Sequence, residues 1–332
     1  MECLLASPRN VNGMELSIKI LPSVLFSMLY SLVFWHELAL TNDSVVYLSA
    51  AESFAQSGRL KMPDGTEFIQ FPPLYPIVLS LFSENIRLWV KVLHLLAMNA
   101  TLMLWLQIAK PHIKSQRWQL LFGLWVATSF ELFYNAMSIW SECLFLLLIT
   151  TAIYFLQRLR AHYRHKFLFG LGISIFLMLL QRNAGIFIWL GIGLVFLSDW
   201  AMLSWRERKG YLAMLTLSAS GFAGWNVHKL LWKGNTPGQL GYEIPFSLWF
   251  NIENTFQAIG LWLLPNPIPN LLVAILIGAL LILMSWRIWQ HQKELAWLWL
   301  IFCVYESTFF LIYATEGDIY RFTSIGLPFF FC

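Results

Sequence analysis

The residues able to do chemistry are unevenly spread along this chain. Carboxylates collect in one polar stretch, Glu37 to Tyr75, where Glu37, Asp43, Glu52, Asp64 and Glu67 stand with Arg59 and Lys61. Others sit at the rims of apolar runs: Glu84, Glu142, Glu243, Glu253, Glu316 and Asp318. Carboxylates gathered with a few cations at one rim make a polar pocket suited to proton transfer with a bound substrate. Glu306 is different, because it lies within an apolar run, where a carboxylate is costly and points to function or to a protonated, hydrogen-bonded group. His162-x-x-His165 has a metal-binding spacing but falls in a strongly basic loop. Cys3, Cys143, Cys303 and Cys332 form neither a disulfide framework nor a CxxC site. No phosphate-binding loop, dinucleotide fingerprint or Ser-His-Asp order is present.

The elements that position these groups follow from composition. Of 332 residues 58% are hydrophobic and only 12% charged, with mean hydropathy +0.62, which excludes an ordinary soluble domain. The apolar residues come in blocks long enough to cross a bilayer. Spans are expected near 17–36, 87–109, 118–134, 141–157, 167–180, 184–200, 211–227, 271–289 and 295–314, with a tenth cut short by the chain end. The expected fold is an all-α polytopic membrane protein of about ten transmembrane helices, forming one transmembrane domain over 1–332. Polar stretches 37–85 and 228–270 read as two long outer loops. The run from Ile18 to Trp35 is too long for a signal-peptide core and reads as a retained span.

Most of the 22 basic residues lie in short loops that fall on one side if the N-terminus is cytoplasmic, as the positive-inside rule requires. Both long loops and the carboxylate rims then face outside. The net charge of +4 therefore reports topology and gives no reason to expect nucleic acid. Many of the 17 tryptophans stand at span ends as interfacial anchors.

Within the first outer loop, Thr41-Asn42-Asp43-Ser44 offers helix-capping residues before Val45, Leu48, Ala51, Phe54 and Ala55, which share one face. Gly58 supplies a stop, Pro63-Asp64-Gly65 a turn, and Pro72-Pro73 a return to the membrane. The segment from Pro73 to Phe82 is too short to cross and is expected at the interface.

This loop, with Asn42-Asp43, Tyr47-Leu48, Ala50-Ala51, Gly58 and Phe71-Pro-Pro-Leu-Tyr-Pro76, resembles the GT-C superfamily of membrane glycosyltransferases. Within it, the loop looks like the branch of protein O-mannosyltransferases and aminoarabinose transferases. Ser141-Glu142, the turn Arg182-Asn183-Ala184-Gly185, and Tyr320-Arg321 with Pro328 are similar too, so the likeness extends over most of the chain.

The resemblance implies transfer of a sugar from a polyprenyl-phosphate donor to an acceptor hydroxyl on the outer face, with inversion. It implies Asp43 as general base, with Glu142 helping to orient acceptor or base. Arg321 and Arg182, with Lys61 behind them, are the implied ligands of the donor phosphate, since a guanidinium pairs well with phosphate oxygens. Tyr47, Tyr75 and Trp249 are the implied substrate contacts, the indole offering a face for a sugar. The implied partners are the lipid-linked donor, a glycan, lipid or protein acceptor, and membrane lipids, in a bacterial plasma membrane. No cofactor is expected, and Asn42 stands where many relatives carry a second acid, which leaves a metal-assisted variant without support. A lipid-linked-sugar transporter and a non-catalytic GT-C-like subunit are the competing classes. The former would show inverted repeats and several charges at mid-bilayer depth, neither of which is apparent.

Overall fold

The computed structural model of the chain describes residues 9–232, 247–261, 270–291, 295–311, 319 and 323. Its helices are α1 (Arg9–Val33), α2 (Asn42–Ser57), α3 (Leu74–Ser80), α4 (Ile86–Ala109), α5 (Gln116–Ala127), α6 (Phe130–Ala136) and α7 (Glu142–Ala161). They continue with α8 (His165–Gln181), α9 (Gly185–Asp199), α10 (Trp205–Trp232), α11 (Leu248–Leu261), α12 (Asn270–His291) and α13 (Ala296–Ser307). Among the described residues there is no strand, and the only ladder-like contacts are two isolated bridges, Ala39 with Ser138 and Lys61 with Glu67.

Ile86–Ala109, Glu142–Ala161 and Gly185–Met202 are each long and apolar enough to cross a membrane. In lipid, apolar side chains gain little by leaving their surroundings, so close packing must hold such helices together. Here α7 is the central element, packed between α4 and α8, while α8 also packs on α10, α9 on α13, and α1 on α4 and α5. Gly123 of α5 shows how close the approach is: a Cβ there would stand 2.8 Å from the Pro22 ring of α1. Outward-facing Leu32, Phe169, Leu197 and Leu217 remain exposed, as lipid-contacting side chains should.

Several expectations hold in outline and fail in detail. The predicted span 118–134 is two helices, because α5 stops at Ala127. Thr128 Oγ1 donates to the carbonyl of Leu124, and Ser129 Oγ to that of Val126, closing the helix end before α6 begins. The second of them, α6, runs to Ala136, two residues past the expected end of the span. The predicted span 211–227 is part of the 28-residue α10, about 42 Å long and so longer than a hydrocarbon core of about 30 Å.

Within the second expected outer loop, α11 buries a polar face made of Asn251, Asn254 and Thr255. Its apolar content alone does not announce this packing. The amide of Asn251 donates to the carbonyl of Phe310 at 3.3 Å, and Phe256 meets the Phe310 ring edge-on. The helix is thus a packed element, folded against α12 and the turn that follows α13.

Candidate active site

The site is built on the start of α2. Thr41 caps it: its Oγ1 accepts from the backbone N–H of Ser44 at 3.3 Å, and Ser44 Oγ accepts from the N–H of Thr41 at 3.1 Å. This reciprocal box places the capping duty on Thr41. Asp43 stands one residue inside the helix, half-buried, in the first turn, where the helix dipole favours a negative charge. Gly58, with φ of 67°, ends the helix in the left-handed region.

The start of α2 is fastened to a segment about a hundred residues away. The N–H of Ala39 donates to the carbonyl of Met137 at 2.8 Å, and that of Ile139 to the carbonyl of Ala39 at 3.4 Å. The indole N–H of Trp140 donates to Thr41 Oγ1 at 2.8 Å. These bonds bring α2 against the beginning of α7, where Ser141 and Glu142 are fully buried.

Around Ser141 a polar cluster forms. Tyr47 donates its hydroxyl to Ser141 Oγ at 3.2 Å, and the guanidinium of Arg182 donates to the same atom at 3.1 Å. Gln181 donates its side-chain amide to the Ser141 carbonyl at 2.9 Å. Arg182, the residue that ends α8, forms an ion pair with Glu142 and lies over the Phe145 ring. The Tyr305 side chain of α13 lies within electrostatic reach of both Arg182 and Glu142, and Asp43 within reach of Tyr47. A chain of polar groups thus runs Tyr47–Ser141–Arg182–Glu142, with Asp43 on the turn of α2 before Tyr47.

Behind this cluster lies an aromatic wall. Tyr47 meets Tyr75 edge-on at 5.0 Å between ring centroids and Phe71 at 4.9 Å, and Phe68 in turn meets Trp225 of α10. The Tyr75 hydroxyl pairs with His94 Nε2 at 3.0 Å. Since His94 Nδ1 faces the carbonyl of Ala136, at 3.5 Å, the proton sits on Nδ1, and Tyr75 donates to Nε2. Burial pushes the Tyr47 hydroxyl well above the ordinary tyrosine range, and Arg182 pulls only partly against it. Burial does the same to Tyr75. Both phenols therefore act as hydrogen-bond donors at neutral pH.

Asp43, Glu142, Arg182, Tyr47 and Tyr75, singled out by residue type, thus come together in space. Tyr47 and Tyr75 are buried, their hydroxyls bonded to Ser141 and His94 respectively. Lys61 lies in a short hairpin opposite Glu67, and among the described residues its side chain joins no hydrogen bond or ion pair. Trp249 is exposed near the start of α11. Arg321, Tyr320, Trp262 and Pro328 lie outside the described residues. His94, Gln181 and Trp225 were not evident as parts of this neighbourhood, since a lone polar or aromatic residue in an apolar run has many structural uses.

No protein-family model matches the chain, and no curated protein matches its sequence. Its fold, however, is found in solved structures of ArnT from Cupriavidus metallidurans, one in the apo state and one bound to undecaprenyl phosphate. Each superposes with a TM-score of 0.60 at 12% identity, covering 96% and 98% of this chain respectively. The chain spans 59% of the length of the ArnT chain. The chain thus shares the ArnT fold, in line with the likeness of its first loop, and three of its helices are long and apolar enough to cross a membrane.

Proposed function

We propose that this chain, sharing the ArnT fold, is a glycosyltransferase that moves a sugar from a polyprenyl-phosphate donor to an acceptor hydroxyl. The reaction would take place at the outer face of a bacterial plasma membrane, with the N-terminus cytoplasmic, as the charge bias of the loops supports. One observation carries the reading: the first turn of α2 is joined to the Ser141–Glu142–Arg182 cluster. That junction gathers a carboxylate, a guanidinium and a helix N-terminus at one end of the bundle.

In this reading Asp43 accepts the acceptor's hydroxyl proton as the oxygen attacks the anomeric carbon. The bond from that carbon to the phosphate oxygen breaks, and its electron pair leaves with the polyprenyl phosphate. Attack opposite the leaving group inverts the anomeric configuration. Arg182 and the positive end of α2 offset the charge on the departing phosphate. Glu142 and Tyr47 are positioning residues, acting through Arg182 and Ser141. Arg321 is a second candidate for the phosphate, and Trp249 a candidate sugar platform.

The test is transfer of radiolabelled sugar from polyprenyl-phosphate donors in membranes containing wild type or Asp43→Asn. Loss of a general base lowers transfer by about 10²–10⁴-fold. Equal transfer by the two proteins removes Asp43 from the mechanism. A folded wild type that uses no donor overturns the enzymatic reading.

A further inference from the structure

Far from the outer rim, α8 and α10 leave a groove of about 610 Å³ between them, open to the lipid side. Exposed apolar residues Phe169, Ile173 and Leu217 line it, with the small Ala213 on the α10 side. It runs from His165 to Phe176 along α8, a rise of about 16 Å. That is close to half of a hydrocarbon core of about 30 Å, so the groove is one leaflet deep.

The two ends differ. At the end carrying the basic loops, Arg206 donates to His165 Nε2 at 2.9 Å, and both side chains are exposed at the groove mouth. This hydrogen bond fixes the guanidinium beside His165, at the end of the groove. Lys166 and Lys209 flank it, their ammonium groups 5.1 Å and 4.9 Å from the ring centroids of Phe167 and Trp205. The carboxylate on the same turn, Glu207, is engaged by the backbone N–H and hydroxyl of Ser204, which satisfy it locally. The mouth is cationic, while the walls beyond it are apolar.

From this complementarity we infer that the α8–α10 groove binds an anionic phospholipid, one acyl chain along Phe169, Ile173 and Leu217 and the phosphate at Arg206. The charge bias places it in the cytoplasmic leaflet. The inference stands independently of the transferase reading, because it uses none of the outer-rim residues.

Purified full-length protein in detergent is titrated with phosphatidylglycerol or phosphatidylcholine and followed by native mass spectrometry. A diazirine-bearing phosphatidylglycerol maps the contact in wild type. Basic groups near a membrane surface contribute roughly fivefold each, so phosphatidylglycerol is expected to bind at least fivefold more tightly than phosphatidylcholine. Arg206→Ala removes most of that preference. Ala213→Phe, at an exposed position within the groove, weakens both lipids without altering the preference. The crosslink falls on 168–176 and 213–220. Equal binding of the two lipids by wild type, or crosslinks wholly outside these segments, overturns the proposal.

Discussion

Tyr47 and Arg182 converge on a single acceptor, Ser141 Oγ, the phenol at 3.2 Å and the guanidinium at 3.1 Å. One side chain from the first loop and one from the turn after α8 are thereby locked to the start of α7. Ser141→Ala removes the shared acceptor and leaves the buried Tyr47 hydroxyl unsatisfied. The expected cost is about 1–3 kcal/mol, measured by denaturant unfolding in detergent, with transfer falling as well. Tyr47→Phe combined with Ser141→Ala recovers part of that stability, since only the Arg182 N–H, and no longer the phenol, is then left without the Ser141 acceptor.

The Glu142–Arg182 pair separates stability from function. Glu142 is 1% exposed and Arg182 13% exposed at the side chain. Glu142→Ala strands a buried guanidinium and is expected to cost about 3–5 kcal/mol. Glu142→Leu together with Arg182→Met restores most of the unfolding free energy, because an apolar pair of similar volume replaces a desolvated ion pair. Sugar transfer stays lost in the double variant. Recovery of both properties would remove Arg182 from phosphate binding.

Thr41 caps α2, while the proposed base, Asp43, stands two residues on. Thr41→Ala takes away the helix cap and the acceptor of the Trp140 indole, and is expected to destabilise by about 1–2 kcal/mol. Asp43→Asn leaves the cap intact, so its unfolding midpoint stays near that of wild type while transfer falls. Thermal unfolding and transfer measured on the same preparations separate the two effects. A large stability loss in Asp43→Asn would recast the residue as structural.

Glu306 is 5% exposed, and among the described residues neither of its carboxyl oxygens has a hydrogen-bond partner. Replacing an unsatisfied buried polar group by an apolar one of similar shape relieves its desolvation cost. Glu306→Met is therefore expected to raise stability by about 1–3 kcal/mol. A fall in the unfolding midpoint would show that the carboxyl is held by a partner that the variant loses.

Gly185 opens α9 directly after the Arg182 turn, and a Cβ there would lie 3.0 Å from the backbone oxygen of Met178. A backbone atom cannot swing aside as a flexible side chain can, so Gly185→Ala forces α8 and α9 apart. A cost of about 1–3 kcal/mol is expected. Transfer should fall in the same variant because Arg182 shifts with the turn, and unfolding and transfer assays measure the two effects.

How much was legible in the sequence depended on whether a feature was local. The α2 helix, its stop at Gly58, the short interfacial α3 and the break at Gln181-Arg182-Asn183 are all written in capping residues, prolines and short polar interruptions. The split between α5 and α6 was hidden, because Thr128 and Ser129 end a helix through bonds to its own carbonyls without changing its hydropathy. The inward polar face of α11 was hidden too, since what covers it comes from α12 and the turn after α13. Of the candidate site, Asp43, Glu142 and Arg182 were named through the resemblance of the segments that carry them. Ser141 as the meeting point, His94 behind Tyr75 and the burial of both tyrosines arise only from the packing of distant helices.

The bond from Trp140 to Thr41 joins residues 99 positions apart. At roughly 5–20 residues per second, a ribosome needs about 5–20 s to supply the second partner after the first. Throughout that interval the nascent first loop exists with its clasp unmade. Until the start of α7 emerges, the first loop lacks the partners that hold α2, and an incompletely made chain carries the loop without its clasp.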